Sequence, residues 1–435
     1  MKCEQVPTLG HLPCLKALEI WGMYDVTCIG VEFYGMCSNV LFPSLRTLTI
    51  KYLDELVEWK DALEVTSASV VFPCLEELTI GYCYQLRSAP CHFPFLQKLE
   101  IDGVNNMAVL ERISSNLTTL KSAKISTKLT SVPEQLFCTS LQSLKITNCE
   151  ELSYIPDTLQ PLIFLEELTI EYCPKLKCFP RIQDLQRLRS LIIWSCGFEV
   201  LTPQLQLCPS LSQLRIKFCP DLKSLPNLQE FHSLADLEIF DCHNLTSIPD
   251  LQGCHSLAQL EIYKCDNIKS IPDLGKLCFL TSLNIASCSN IRHLPEGPLK
   301  CLKSLTIGGY NEELHAFPSL NFIQQSRTTL EYLHVQGWAK LNSLPGEIQH
   351  FTALQTLVIN GFDGIETLPE WLGDLSSLKK LKIWSCNNLM YLPTTHLIKL
   401  EELNILYCSK LKERCAEGSG AEWLKIAHIP KITIR

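Results

Sequence analysis

Aliphatic residues recur along the chain in one spacing, Leu-x-x-Leu-x-Ile, as in Leu75/Leu78/Ile80, Leu141/Leu144/Ile146, Leu165/Leu168/Ile170 and Leu257/Leu260/Ile262. The second half of that spacing alternates, so Leu and Ile share one face of a short strand while the intervening residues point the other way. Counting degenerate copies, the pattern starts eighteen times, at 15, 45, 75, 96, 120, 141, 165, 188, 211, 234, 257, 280, 302, 330, 354, 378, 400 and 429.

The mean step of about 24 residues falls in the range of leucine-rich repeats. Three residues after the Ile, ten units carry a Cys: Cys83, Cys149, Cys173, Cys196, Cys219, Cys242, Cys265, Cys288, Cys386 and Cys408. Most units then add an aliphatic pair closed by Pro, as in Leu222-Lys-Ser-Leu225-Pro226 and Ile268-Lys-Ser-Ile271-Pro272. A strand this short persists only if the next coil lays another beside it about 4.8 Å away. Pro has no N–H for a central ladder and belongs on the returning segment. The pattern predicts an α/β solenoid, a leucine-rich-repeat horseshoe with a parallel concave β-sheet and a mostly irregular convex side.

The period lapses in places. Steps of 30 residues separate the first three units, 28 lie between Leu302 and Leu330, and 29 between Leu400 and Ile429. The long units hold Glu32-Phe33-Tyr34-Gly35, Glu55-Leu56-Val57-Glu58-Trp59 and a Thr66–Ser69 stretch that reads as a loop; Phe317 to Gln325 reads as a helical turn or two. No linker rich in Pro, Gly or Ser divides the chain. The expected organisation is one solenoid over 1–435, with a partial N-terminal repeat at 1–14 and a C-terminal cap at 409–435.

Composition narrows the chemistry. A net charge of −8 and the absence of any Lys/Arg run argue against nucleic acid, which needs a concentrated basic face. Apolar runs such as Leu191–Trp194 are far too short to span a membrane. The first residues lack the apolar core of a secretory signal, so either the chain is cytoplasmic, as is expected, with its 23 cysteines reduced, or its true beginning is missing. No C-x-x-C occurs, and the recurrent Cys sits where a small side chain can bond neighbouring backbone, so structural thiols are expected. Cys242-His243 and Cys254-His255 crowd four ligand types within fourteen residues, but on different sides of one coil. No phosphate loop, H-E-x-x-H or G-x-S-x-G is present. No enzyme activity, metal or cofactor is predicted.

What remains is surface. The alternate strand residues of consecutive units include Trp194, then Arg215 and Lys217, then Asp236, Glu238 and Phe240, then Tyr263; a second group is Lys380, Lys382 and Trp384. Trp, Tyr and Arg are common binding anchors, and these positions carry whatever specificity a solenoid has. Trp194, Arg215, Lys217, Phe240 and Tyr263 are expected to form one protein-binding patch about 14 Å wide.

The Leu-x-x-Leu-x-Ile-x-x-Cys-x-x-Leu coil and the opening Leu9-Gly10-His11-Leu12-Pro13-Cys14-Leu15 resemble plant intracellular immune receptors. So do Phe33-Tyr34-Gly35 and Glu58-Trp59, each followed by a Phe-Pro pair leading into a strand (Phe42-Pro43 and Phe72-Pro73). The ending Leu411-Lys412-Glu413-Arg414-Cys415, then Gly420-Ala421-Glu422-Trp423-Leu424-Lys425-Ile426, is similar to the C-terminus of coiled-coil, nucleotide-binding, leucine-rich-repeat resistance proteins. The resemblance implies recognition of a pathogen effector or a guarded host protein, and restraint of a nucleotide-binding domain in the same or a paired receptor. The family's coiled coil and phosphate loop have no counterpart in these 435 residues, and Val6-Pro7 matches the close of a coil whose strand is missing, as in a fragment or truncated paralogue. The alternative is a substrate-recognition subunit of a ubiquitin ligase, whose F-box helices are not found here. An extracellular ectodomain would carry a signal peptide and capping disulfides.

Overall fold

The computed structural model describes residues 5–35, 39–66, 70–156, 162–179, 185–201, 205, 208–394 and 397–435. A strand begins two residues after the first position of each of the eighteen patterns. The chain packs as two compact units, Met1–Leu211 and Ser212–Arg435. The first holds β1 (Ala17–Trp21), β2 (Thr47–Lys51), β3 (Glu77–Gly81), β4 (Lys98–Asp102), β5 (Ser122–Ser126), β6 (Ser143–Thr147), β7 (Glu167–Cys173) and β8 (Ser190–Cys196). The second holds β9 (Gln213–Lys217), β10 (Asp236–Phe240), β11 (Gln259–Tyr263), β12 (Ser282–Ala286), β13 (Ser304–Gly308), β14 (Tyr332–Gln336), β15 (Thr356–Asn360), β16 (Lys380–Trp384), β17 (Glu402–Leu406) and β18 (Lys431–Ile434). Within each unit successive strands pair in parallel with like positions matched: Leu78 lies beside Leu48 and Leu99, and Leu237 beside Leu214 and Leu260.

The register follows from the pattern. Repeat Leu and Ile side chains such as Leu237 and Ile239 are fully enclosed, each contributing about 1.5–3 kcal/mol of burial. The expected thiol ladder is present: Cys242 Sγ donates to Phe240 O at 3.5 Å or Ile216 O at 3.9 Å, and Cys265 and Cys288 repeat both contacts. Enclosure pushes the Cys288 thiol up to about 12 and Cys83 to about 11, so these sulfurs stay protonated.

Among the described residues the return segments are mostly irregular, with short helices and two-residue strands, Cys28–Ile29 beside Glu58–Trp59 and Val40–Leu41 beside Val70–Val71. Phe317–Gln325 contributes a single 3-10 stretch, Asn321–Ser326. Residues 67–69 of the expected Thr66–Ser69 loop lie outside the described residues. The eight-residue helix α1 (Met107–Ser114), not foreseen, is capped by Asn106, whose side chain accepts from Ala108 N, and buries Val109, Leu110 and Ile113. The long early units carry a buried aromatic spine: Phe33, Phe42, Phe72 and Phe93 follow one another at 4.9, 5.1 and 5.9 Å. Trp59 Nε1 donates to the Tyr34 hydroxyl at 2.8 Å, and that hydroxyl to Lys60 O. These inserts thicken the core.

One recurrent feature escaped the pattern. The residue two after the strand Ile has positive φ in coil after coil, at Tyr52, Tyr82, Asn148, Tyr172, Ser195, Phe218, Asp241, Lys264, Ser287, Ser385 and Tyr407, and at Gly22, Gly103, Gly309 and Gly361. There the chain turns out of the strand and its N–H reaches the next coil, as Tyr82 N does to Asp102 O (2.7 Å) and Asp241 N to Tyr263 O (2.9 Å).

Candidate protein-recognition site

The expected patch draws on both units. In the first, Trp194 ends the open face of β8, half-buried, with its ring 6.2 Å from Tyr172 and its backbone beside Glu171. In the second, β9 to β11 place the remaining residues in two rows. Arg215, Glu238 and Glu261 stand side by side, as do Lys217, Phe240 and Tyr263.

Those charges largely satisfy one another. Arg215 Nη2 donates to Asp236 Oδ2 at 2.7 Å and its Nε lies 3.4 Å from Glu238; Lys217 Nζ reaches Glu238 at 2.5 Å. Gln213 Nε2 also donates to Asp236. Glu238 was read from the sequence as a solvated position, but its side chain is only 13% exposed because two cations flank it. Hydrogen bonding to Asp236 raises the Arg215 guanidinium still further. Glu261 differs: desolvation first, then the neighbouring Glu238 carboxylate, raise its carboxyl above the usual range. Like charges on directly opposed strand positions repel, so this is the one end of the network held at a cost. Phe218, Phe240 and Tyr263 line the edge at 5.0 and 5.2 Å, with Lys264 Nζ 5.7 Å above Tyr263. Phe218, which alternation did not mark because it lies past the strand in the left-handed turn, is 37% exposed.

In the second group Lys380, Lys382 and Trp384 occupy the alternate, unburied positions of β16. Trp384 leans across β15 to meet His334 edge-on at 5.9 Å, and Val358 between them is fully covered. Lys382 Nζ lies 5.8 Å from the indole, while Lys380 and Lys431 hold Glu402 between them at 4.0 and 3.2 Å. Desolvation lowers the His334 pKa, which keeps the ring neutral at pH 7. The two Cys-His pairs do not converge. Cys254 Sγ donates to Leu228 O, His243 sits between Asp241 and Asp266, and His255 stacks on His232.

Residues 46–197 match the leucine-rich repeats of RPS2-like plant disease resistance proteins, and residues 346–411 match the R13L1/DRL21 leucine-rich repeats. Those two stretches are leucine-rich repeats of the plant disease resistance type. The chain is 30% identical over 217 residues to a disease resistance RPP13-like protein 1 of Arabidopsis thaliana, covering 45% of this chain and 20% of that protein. With disease resistance protein RGA2 of Solanum bulbocastanum it shares 31% over 166 residues, 36% of this chain and 14% of that one. The chain thus spans a fifth or less of the length of these relatives. The repeat fold itself recurs in a leucine-rich-repeat protein of Leptospira interrogans, at a TM-score of 0.55 and 18% identity, covering 94% of this chain and 96% of the other. Among the described residues no helix of these plant-type repeats is long and apolar enough to cross a membrane.

Proposed function

We propose that this repeat region is the protein-recognition and autoinhibitory part of a cytoplasmic plant immune receptor. It binds a pathogen effector or a guarded host protein, and it contacts the nucleotide-binding domain of the same or a paired receptor. The observation that carries the reading is the mixed patch on β9 to β11. A self-paired Arg215–Asp236–Glu238–Lys217 network fixes side-chain geometry in advance, which lowers the ordering cost of binding. The flanking Phe218, Phe240 and Tyr263 supply rigid apolar area. Relatives named for disease resistance favour this over the ubiquitin-ligase alternative.

Cross-linking mass spectrometry on the chain expressed in leaf tissue tests it. Cross-links to other proteins are expected to concentrate on β9 to β11 and to fall several-fold in Phe240→Ser and Arg215→Glu variants that melt as the parent does. Cross-links unchanged by both substitutions would remove the patch from the reading.

A further inference from the structure

We propose that the strand-exit edge of the first unit is a second docking surface, for a protein segment that presents arginine side chains. Four aromatic rings meet there, and a fifth, Tyr24, lies close by over Gly22. Trp21, Tyr52 and Tyr82 form a continuous rail, Trp21 edge-on to Tyr52 at 5.5 Å and Tyr52 stacked on Tyr82 at 4.6 Å and 9°. Tyr84 closes it, 6.3 Å from Tyr82, lying over Gly103 so that a Cβ on that glycine would fall 2.9 Å from the ring. Trp21 is 66% exposed, Tyr24 56% and Tyr84 50%. Such a run of open rings is unusual on a surface with no partner.

Tyr52 and Tyr82 stand at the strained exit turn, a position that several residue types fill along the chain. They take φ of 57° and 54° at the left-handed turn, where the coils on either side use Gly22 and Gly103. Glycine meets that geometry without strain, whereas tyrosine does not. The rings are present at a conformational cost that core packing does not repay, because they lie outside the core.

Charge selects the occupant. The next turn repeats in the three coils as Tyr24-Asp25, Asp54-Glu55 and Tyr84-Gln85, all six exposed, so Asp54 stands between the Tyr24 and Tyr84 positions and three carboxylates line the rail. The Tyr82 hydroxyl is hydrogen-bonded to a fourth, Asp102, which raises the phenol's pKa. Lys51, on the same stretch, lies across Gly81 and interacts with Glu100 on the open sheet face. An aliphatic partner would strip water from these carboxylates without pairing them. A guanidinium stacks flat on a ring and donates in a fork to a carboxylate, which suits alternating rings and acids better than an ammonium does.

The test uses the full chain at about 150 mM salt, where long-range attraction is screened within about 8 Å. The probes are a fluorescent Gly-Arg repeat peptide and its Gly-Lys counterpart. Anisotropy should show the arginine peptide binding at least threefold more tightly than the lysine one. Tyr24→Ser with Tyr84→Ser should weaken it about tenfold, and Asp54→Asn with Glu55→Gln comparably, while Phe279→Ser, which removes a 66% exposed ring from the second unit, should leave it unchanged. Should the tyrosine pair disturb folding, the isosteric acid pair carries the measurement alone. Equal affinity for the two peptides, or for parent and rail variants, would overturn the proposal. So would sedimentation showing the parent self-associated and the Tyr24/Tyr84 variant monomeric, since a second copy would then cover the rail.

Discussion

At the scale of single residues, adjacent positions on one strand have opposite fates. Ile239 is fully enclosed between coils, while Glu238 beside it faces the open side and is held by Arg215 and Lys217. Ile239→Asp should cost more than about 4 kcal/mol, since the new carboxylate is buried without a partner. Glu238→Ala should cost about 1–2 kcal/mol, the order expected when two largely covered but still partly hydrated cations, Arg215 and Lys217, lose a shared carboxylate. Urea midpoints measure both, and comparable shifts would contradict the register. Two further glutamates bracket the pH response. The Lys124 ammonium, hydrogen-bonded to Glu100, holds its carboxyl below the usual range, so this contribution is present above the unfolded pKa and lost as pH falls through the folded one. Glu261 has the opposite sign: its raised carboxyl favours the fold at acid pH, and that advantage is lost as pH rises through the folded value. Glu100→Gln should therefore lower the melting temperature at pH 7 but converge with the parent near pH 3. Glu261→Gln should match or slightly exceed the parent at pH 7, by at most about 0.5 kcal/mol. Identical pH profiles for the two variants would mean that neither carboxylate feels its neighbours as described.

At the scale of elements, strand positions and facing were readable because each coil restates them: Leu, Leu and Ile recur at fixed offsets, and each of β1 to β18 starts where those offsets place it. What alternation cannot encode is the exit. The left-handed residue found in most coils two positions past the strand Ile carries no shared side chain, being Tyr, Asn, Ser, Phe, Asp, Lys or Gly, because the turn is imposed by the N–H that must reach the next coil. For that reason Phe218, Tyr52 and Tyr82 were missed as surface features, while the alternating residues Arg215, Asp236 and Phe240 were found. Trp384 was found, and what alternation does not encode is its lean onto His334, a contact between coils two apart that passes over Val358. The helix α1 was hidden by its length, two turns with only Asn106 to announce it. The exit also makes a prediction. Lys264 is exposed with φ of 53°, so Lys264→Gly should stabilise the chain by about 0.5–1 kcal/mol through relief of the left-handed strain, offset in part by added freedom in the unfolded state. Lys264→Val should destabilise it by about 1–2 kcal/mol. Thermal melts falling in the reverse order would place that turn elsewhere on the backbone map.

At the scale of the whole molecule, the cysteines report how stability is distributed. Each coil touches chiefly its neighbours, so opening spreads along a stack by increments. Cys219, Cys242 and Cys265 are fully enclosed, and a thiol that a reagent cannot reach does not react. Alkylation of the native protein should miss all three, and the mass of the intact chain should show no hydrogens lost to sulfur pairing. Finding the three in disulfides would contradict both the ladder and the expected reducing compartment. Under increasing urea the same reagent becomes a map. In the Ile239→Asp variant, Cys242 and Cys265, whose thiols reach Ile216 and Ile239 carbonyls on β9 and β10, should react first. Cys408, anchored to the Ile383 and Leu406 carbonyls far along the second unit, should stay protected to a higher urea concentration. Simultaneous labelling of Cys242 and Cys408 would mean that the second unit unfolds as one block, with coil-to-coil coupling stronger than nearest-neighbour stacking supplies.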